Sequence, residues 1–210
     1  MKKIDFKREL KELYQPSGKE ISVVDVPPMN FLTITGQGNP NSSQAYQDAV
    51  EALYSVAYPV KFMAKKGVLA TDFVVMPLEG LWWVPDMREF SMENKDAWLW
   101  QMMIMQPDFV TAEMIAEAKV QAKKKKGNEA IDRLKFEVYA EGTAVQILYT
   151  GPYADEGPTI QRLHEHVWEQ DGELGGKHHE IYLSDPRRMA PEKLKTVIRQ
   201  PFVVKEAVAA

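Results

Sequence analysis

Cysteine is absent from the 210 residues of this sequence. Its absence excludes disulfide bonds, thiolate catalysis and zinc sites built on cysteine. Basic residues are also in the minority, with 26 Lys and Arg against 30 Asp and Glu, which gives a net charge of −4. Because a phosphate backbone is bound by a basic face, this balance argues against nucleic acid as the main partner.

Long hydrophobic runs are also missing. The N-terminal residues, Met1 to Lys7, are rich in lysine, and no apolar stretch of signal-peptide length follows them. No later run reaches the length of about 20 apolar residues that a membrane-spanning helix needs. We therefore expect a soluble, cytoplasmic protein with no membrane partner.

Large aromatic side chains and methionine are abundant by contrast, with 5 Trp, 8 Tyr, 8 Phe and 11 Met. Such side chains fill hydrophobic cores, but they also line pockets for flat, apolar ligands. Their positions in the predicted elements must decide between these two interpretations.

The two halves of the chain follow the same order of elements: a strand, a turn with Gly or Pro, a helix and two further strands. Thr33–Gly36 in the first half is echoed by Leu148–Gly151 in the second. An internal repeat of this kind is stronger evidence than any single element. The predicted boundaries are 1–210 for a single domain, 21–110 and 133–203 for the approximate repeats, and 111–126 for a linking helix.

This repeat predicts an α+β fold in which duplicated β-α-β-β units form one twisted antiparallel sheet. Both long helices, at 45–58 and 158–171, are expected to pack on one face of the sheet. The other face is expected to form a ligand groove at the junction of the halves. Pro59 should kink the first long helix or end its regular part.

Three local predictions refine this outline. Residues 72–78 read as one strand, and 136–139 and 143–150 read as a hairpin around Glu141 and Gly142. Thr111 can cap a helix that ends with the lysine run 123–126 and Gly127, where cations and glycine favour a helix C-terminus.

The segment His178–Leu183 offers the most chemistry. Strand alternation places His178, Glu180 and Tyr182 on one face and the intervening residues on the other. Because Ile181 and Leu183 suit a helix-covered core, Glu180 and Tyr182 are expected to face the groove. Burying a carboxylate among apolar neighbours costs free energy unless the group is paired, protonated or has a function. The alternative to a functional Glu180 is a structural one that is bonded to an Arg or to a Tyr hydroxyl.

Aromatic residues cluster in the segments 79–84 and 98–105. Trp82 and Trp83 are adjacent, so one of them should line the groove or its rim. Trp100 and Met102 share one face of their strand and are expected to face the groove. The alternative is that both faces of this strand are buried in the hydrophobic core. Tyr149, next to a Gly-Pro turn, and His178 complete the set of candidate ligand contacts.

No metal site and no cofactor are predicted. The histidine pairs 164/166 and 178/179 diverge on their helix and strand, and no H-E-x-x-H spacing occurs. Thr35-Gly36-Gln37-Gly38 lacks the third glycine of a dinucleotide-binding turn and is interpreted as a tight turn. Acid–base chemistry by Glu180, with Tyr182 as helper, is the only catalysis that the sequence suggests.

Several segments together resemble a stand-alone branch of the GyrI-like small-molecule-binding domains. The most specific are Pro77–Trp83 and His178–Pro186; the others are Phe31–Pro40, Trp98–Phe109 and Glu141–Tyr153. The resemblance implies a duplicated SHS2-type module that binds lipophilic, often cationic aromatic compounds between its repeats. It also implies a ligand-facing glutamate, here Glu180, and aromatic walls matching Trp82 or Trp83, Trp100 and Tyr182.

This branch is also similar to cyclopropanoid cyclopropyl hydrolases, which open the strained ring of DNA-alkylating compounds with water. Two hypotheses therefore stand: multidrug-type binding of flat lipophilic cations, and hydrolysis of a cyclopropane ring in the same pocket. By that similarity Glu180 would orient water or relay a proton. A protein-interaction module is a third class, but nothing in the sequence identifies a protein partner.

Overall fold

The computed structural model describes residues 2–87 and 94–204. The helices of this part are α1 (Phe6–Glu9), α2 (Lys11–Tyr14), α3 (Gln44–Lys66), α4 (Ala112–Lys126), α5 (Ala130–Arg133) and α6 (Gly157–Trp168). The strands are β1 (Lys2–Ile4), β2 (Ser22–Val26), β3 (Met29–Gln37), β4 (Thr71–Phe73), β5 (Leu78–Trp83), β6 (Leu99–Gln106), β7 (Lys135–Tyr139), β8 (Gly142–Thr150), β9 (Gly172–Leu174), β10 (His178–Tyr182) and β11 (Lys195–Val204).

The chain divides into two compact units. Unit 1 comprises Met1–Glu9 and Met29–Tyr139, and unit 2 comprises Leu10–Pro28 and Ala140–Ala210. The chain thus contributes two separate segments to each unit.

Unit 1 contains an antiparallel sheet with the strand order β5-β6-β3-β7, and a short parallel pair formed by β1 and β4. Helix α3 packs against β3 and β6, and also contacts α4 and α5. Its buried residues recur every three or four positions, which gives one apolar face toward the sheet. They are Ala49, Ala52, Leu53, Val56, Ala57, Val60 and Ala64.

Pro59 lies inside α3 and does not end it. The helix begins after Ser43, whose hydroxyl accepts a hydrogen bond from the Tyr46 N–H, and continues to Lys66. Proline removes one backbone donor, but Val60 and Ala64 beyond it are fully buried. Packing of these side chains therefore holds the helical turns that follow the proline.

Helix α4 has the caps that the sequence predicts. The Thr111 hydroxyl accepts from the Met114 N–H, and Gly127 adopts the left-handed conformation with φ of 66°. The lysines of the last turn complement the negative end of the helix dipole.

The strand predicted at 72–78 is wrong. Its residues are divided between β4, which ends at Phe73, and β5, which starts at Leu78. Pro77 cannot donate a ladder hydrogen bond, which favours a break before β5.

Unit 2 contains an antiparallel sheet with the order β2-β8-β11-β10, and the short strand β9 pairs with the end of β11. Helix α6 contacts β8, β9 and β11. A hydrophobic cluster joins the helix to this sheet. Its buried members are Val145, Ile147, Leu163, Val167, Ile198 and Phe202.

The hairpin predicted around Glu141 and Gly142 is also wrong. Both strands are present, but β7 pairs with β3, whereas β8 pairs with β2 and β11. The Glu141 side chain is held by His179 and Arg199. These contacts fix the start of β8 in unit 2, while the preceding strand belongs to unit 1.

The predicted α+β class is confirmed, and the main sheet of each unit is antiparallel, as predicted. Across the described ranges, no helix combines the length and the apolar character that crossing a membrane requires.

Candidate functional site

Strand β10 presents Glu180 on the face of its sheet that α6 covers. Glu180 is directly opposite Ile198, which in turn is opposite Ile147. Directly opposed residues share a face, and both isoleucines pack with Leu163 of α6. The candidate carboxylate therefore lies on the helix side.

The predicted placement of Glu180 and Tyr182 away from the helix-covered face is wrong. Alternation correctly groups them with His178, but the prediction assumed that the apolar residues between them mark the helix side. Ile181 is fully buried on the opposite face, where it pairs in register with Val197. Because both faces of this strand are covered, apolar character alone does not identify the helix side.

The Glu180 carboxylate is held by two neighbours on its own strand. Its Oε1 lies 3.1 Å from His178 Nε2, and its Oε2 accepts a hydrogen bond of 2.7 Å from the Tyr182 hydroxyl. The Glu180 side chain is 14% exposed, whereas that of His178 is 4% exposed. The carboxylate is thus oriented, hydrogen-bonded and still in contact with solvent.

Two further tyrosines lie near Tyr182, the tyrosine that binds this carboxylate. Tyr153, in the turn before α6, packs edge-on against Tyr182 with ring centroids 5.5 Å apart. Tyr149 and Tyr182 lie on the same sheet face, both opposite Thr196. The surroundings of Glu180 therefore combine aromatic surface with a negative charge.

Tyr149 also has a structural role. Its hydroxyl donates to the Pro152 carbonyl at 3.0 Å. Gly151 adopts a φ of 152°, and the Tyr149 ring occupies the space where a Cβ would lie. Burial, together with the nearby carboxylates of Glu156 and Asp155, raises the pKa of Tyr149. The ring can still offer a surface to a ligand, but its hydroxyl is engaged.

His164 of α6 lies close enough to His178 to interact electrostatically. Burial lowers the pKa of His164, and the positive charge that His178 can carry lowers it further, whereas a hydrogen bond with Gln200 opposes both effects. The imidazole that contacts the carboxylate thus has a second imidazole, that of the helix, near it.

The aromatic residues predicted to line the groove form a cluster in unit 1. Trp100 and Trp82 are opposite each other in the ladder, and Tyr46 of α3 contacts both rings at 5.5 and 6.0 Å. Trp98 packs edge-on against Trp82. We call Tyr46, Trp82, Trp98 and Trp100 the aromatic cluster.

The predicted orientation of the tryptophan set, away from the helix, is wrong. Trp100 and Met102 lie on the α3 side of the sheet, and both are fully buried. Gly36 faces Trp100 across the ladder, and its missing side chain leaves room for the indole ring. Trp83 points to the opposite face, in register with Leu99, and is only partly buried.

The Trp100 indole N–H is buried and has no hydrogen-bond partner among the described residues. A buried donor without a partner is costly. It is the polar group of the aromatic cluster that a ligand acceptor could satisfy.

Sequence reasoning missed a buried ionic network on the far face of β10. Glu141 Oε2 accepts from Arg199 Nη1 at 3.0 Å, and Glu141 Oε1 lies 2.8 Å from His179 Nδ1. Each of these three side chains is 1% exposed. Arg199 also donates to Gln146 and to the Leu13 carbonyl at the end of α2.

This network controls the ionisation of Glu141. Burial alone raises the pKa of its carboxyl group, but the charges and hydrogen bonds of His179 and Arg199 outweigh burial and lower the pKa to about 2. A charged Arg in the middle of the apolar strand β11 was the sequence signal for such a network. Its role is structural, because it is sealed from solvent.

No group of three or more His, Asp or Glu side chains is arranged to hold a metal ion in residues 2–87 and 94–204. His178 and His179 point to opposite faces of β10, as the alternation predicts.

Several solved structures are similar to this chain over nearly its whole length. An uncharacterised conserved protein from Listeria innocua is 41% identical, with a TM-score of 0.87, and the match covers 95% of this chain and all of that one. A hydrolase from the same organism is 42% identical, with a TM-score of 0.85 and coverage of 96% and 100%. Another Listeria innocua hydrolase is 40% identical, with a TM-score of 0.82 and coverage of 95% and 100%.

No curated protein matches this sequence. The model of the GyrI-like small molecule binding domain matches residues 19–202. That match spans most of the chain, including the strand that carries Glu180, and it agrees with the α+β units described above. The protein therefore belongs to the GyrI-like small-molecule-binding family.

Proposed function

We propose that the protein binds flat, lipophilic cations and that Glu180 supplies the charge that recognises them. The observation that carries this proposal is an oriented, partly exposed carboxylate that is bonded to Tyr182, whose ring packs against Tyr153. Both oxygens of Glu180 have hydrogen-bond partners, His178 and Tyr182, so its position is fixed before a ligand arrives. Preorganisation of this kind reduces the entropic cost of binding.

The local charge supports the choice of a cation. No Lys or Arg of the described residues forms an ion pair with Glu180, in contrast to Glu141, which pairs with Arg199. The Glu180 charge is therefore available to a ligand cation. The rings of Tyr153 and Tyr182 add flat apolar surface, and aromatic faces also attract cations.

The test compares N-methylphenanthridinium, a permanent cation, with phenanthridine, a neutral ring system of nearly the same outline. Both are titrated at pH 8 against the wild type and the Glu180→Gln variant. A charge-assisted contact contributes about 1.5–3 kcal/mol, so the variant should bind the cation roughly ten- to a hundredfold more weakly. The neutral compound should change little, since the aromatic contacts remain.

Glu165→Gln is the matched control, because Glu165 is an exposed carboxylate on α6 of the same unit. It should leave both affinities unchanged. Equal losses for the cation and the neutral compound in Glu180→Gln, or no loss in either, would show that Glu180 does not recognise charge.

Trp82, Trp83, Trp100 and Met102 remain predicted ligand contacts. Trp83 is the more exposed of the adjacent pair, so Trp83→Ala is the first variant to titrate with the same two compounds. Weaker binding of both would support an aromatic contact that does not depend on ligand charge.

Hydrolysis of a cyclopropane ring is the second candidate. It is supported by the chain of hydrogen bonds from Tyr182 through Glu180 to His178, which suits proton movement, and by the similarity to two Listeria innocua proteins described as hydrolases. In this reaction the oxygen of water attacks a ring carbon while Glu180 accepts a proton. The broken C–C bond leaves its electron pair on the conjugated carbonyl group, whose oxygen is then protonated.

Incubation with a spiro-cyclopropane dienone tests this candidate, with the ring-opened hydrate as the measured product. Glu180→Gln should keep substrate affinity and lose most turnover, because an amide cannot accept the proton. Absence of product with the wild type, at concentrations that saturate the site, would leave binding as the function.

A further inference from the structure

Helix α3 carries aromatic side chains on the face that is turned away from its buried side. Tyr54, Tyr58 and Phe62 are four positions apart, so their rings form one line along the helix. The Tyr54 and Tyr58 ring centroids are 6.1 Å apart, and Tyr58 and Phe62 are 49% and 48% exposed. We call these three residues the outer stripe. Because the solvent side of a helix is ordinarily polar, such a contiguous apolar patch is typical of an interaction surface.

Charge is segregated along the same helix. Both acidic residues, Asp48 and Glu51, lie before Tyr58, and all three lysines lie in the last two turns. The ammonium group of Lys66, the last of them, is over the Phe62 ring at 5.8 Å from its centroid, so it adjoins the outer stripe. This order suits the dipole of the helix. It also makes the outer surface of α3 complementary to an antiparallel copy of itself.

We propose that the outer stripe is the interface with a second copy of this chain, arranged antiparallel about a two-fold axis at Tyr58. A two-fold interface uses the same patch twice, so each residue meets the one at equal distance on the other side of the axis. Tyr54 then faces Phe62 of the second copy. Glu51 lies one turn before Tyr54. Lys66 lies one turn after Phe62, so opposite charges meet at both ends of the stripe.

The ion pairs within one copy leave charge available for this contact. Glu51 contacts Lys126 of α4 at 3.1 Å, but both side chains are about half exposed, and exposed pairs of this kind are weak. Asp72 contacts Lys61 and Lys65, at 3.4 and 2.8 Å. One carboxylate thus faces two of the three lysines, and the last two turns of α3 keep a net positive charge.

A contact between two helices is small. Specific, stable interfaces bury about 1,200–2,000 Å² in total, and smaller ones are transient. We therefore expect a reversible dimer whose population rises with protein concentration. Sedimentation velocity of the wild type over about a hundredfold range of concentration measures this association. The sedimentation coefficient should rise toward that of a dimer, and a monomer over the whole range would overturn the proposal.

Tyr58→Glu tests the position of the axis. Because Tyr58 meets its own copy there, the substitution brings two like charges together, and the dissociation constant should rise by about a hundredfold. Val120→Glu is the matched control, since Val120 is 70% exposed on α4 of the same unit, and it should associate as the wild type does. Undiminished association of Tyr58→Glu would place the dimer interface elsewhere and overturn the proposal.

An exchange of charges tests the antiparallel pairing. Glu51→Lys and Lys66→Glu each bring like charges together at both ends of the stripe, so each variant alone should associate about tenfold more weakly than the wild type. In an equal mixture the two substitutions restore opposite charges at both ends, and the mixed dimer should form as the wild-type dimer does. A mixture that associates no better than the separate variants would overturn the antiparallel arrangement.

A measurement on the wild type alone covers a variant that does not fold. Salt screens exposed charges, so raising the ionic strength from about 0.05 M to about 0.5 M should weaken the dimer several-fold. A dimer that is unchanged or strengthened by salt would overturn the pairing of Glu51 with Lys66. This interface does not involve Glu180, so the tests of association and of ligand binding are independent.

Discussion

Neutralising Glu141 should destabilise the protein far more than neutralising an exposed glutamate. Glu141→Gln keeps the shape of the side chain but leaves the Arg199 guanidinium, 1% exposed, without its counter-charge. In the wild type the pKa of the Glu141 carboxyl group is lowered from an ordinary 4.5 to about 2. This shift corresponds to about 3 kcal/mol of stability at neutral pH. This agrees with the cost of about 3–5 kcal/mol for removing one partner of a buried ion pair.

The pH dependence has a definite sign. A carboxyl group whose pKa is lower in the folded state stabilises the protein above its unfolded pKa, and this contribution is lost as the pH falls through the folded pKa. The difference between the wild type and Glu141→Gln should therefore be largest at pH 7. It should shrink between pH 4.5 and pH 2.

Urea unfolding monitored by tryptophan fluorescence, repeated at several pH values, measures both the loss of stability and its pH dependence. Glu192→Gln, an exposed change in the same unit, is the control and should alter stability by less than about 0.5 kcal/mol. Arg199→Met combined with Glu141→Gln should recover part of the loss, since no unpaired charge is then buried. A cost below about 1 kcal/mol for Glu141→Gln, or a cost independent of pH, would show that the Glu141 charge does not stabilise the fold through Arg199.

Three further changes test packing and capping by thermal or urea unfolding. Gly36→Ala should destabilise the protein by about 1–3 kcal/mol, because the new Cβ would meet the Trp100 ring. Gly157→Ala is the control and should be neutral or slightly stabilising, since its Cβ would meet no other atom. Equal effects of the two changes would contradict this prediction. Leu163→Ala should cost about 2–5 kcal/mol, since the side chain is fully buried under α6, and a cost near zero would contradict that packing. Thr111→Ala should cost about 1 kcal/mol by removing the α4 cap, with an unchanged midpoint as the contrary result.

Local chemistry explains what the sequence predicted correctly. Thr111 and Gly127 mark both ends of α4, because a hydroxyl and a left-handed glycine satisfy backbone groups within one turn. Alternation likewise grouped Glu180 with Tyr182, since side chains of a strand alternate whatever lies around it.

Long-range contacts explain what the sequence did not predict. The helix side of β10 could not be identified from Ile181, because short α2 and the ionic network cover the face that the prediction assigned to a helix. The strands flanking Glu141 were predicted to form a hairpin. In the structure Glu141 instead forms an ion pair with Arg199, which is far along the chain. Neither the packing of α2 over β10 nor the Glu141–Arg199 ion pair produces a periodic pattern in the sequence.

The central claim is that Glu180 recognises the charge of a bound ligand. A crystal structure of the wild type with N-methylphenanthridinium tests it most directly. We expect the ring nitrogen within about 4–6 Å of the Glu180 carboxylate, with the ring system against Tyr153 or Tyr182. A cation bound elsewhere, with Glu180 still bonded only to His178 and Tyr182, would show that Glu180 does not recognise ligand charge.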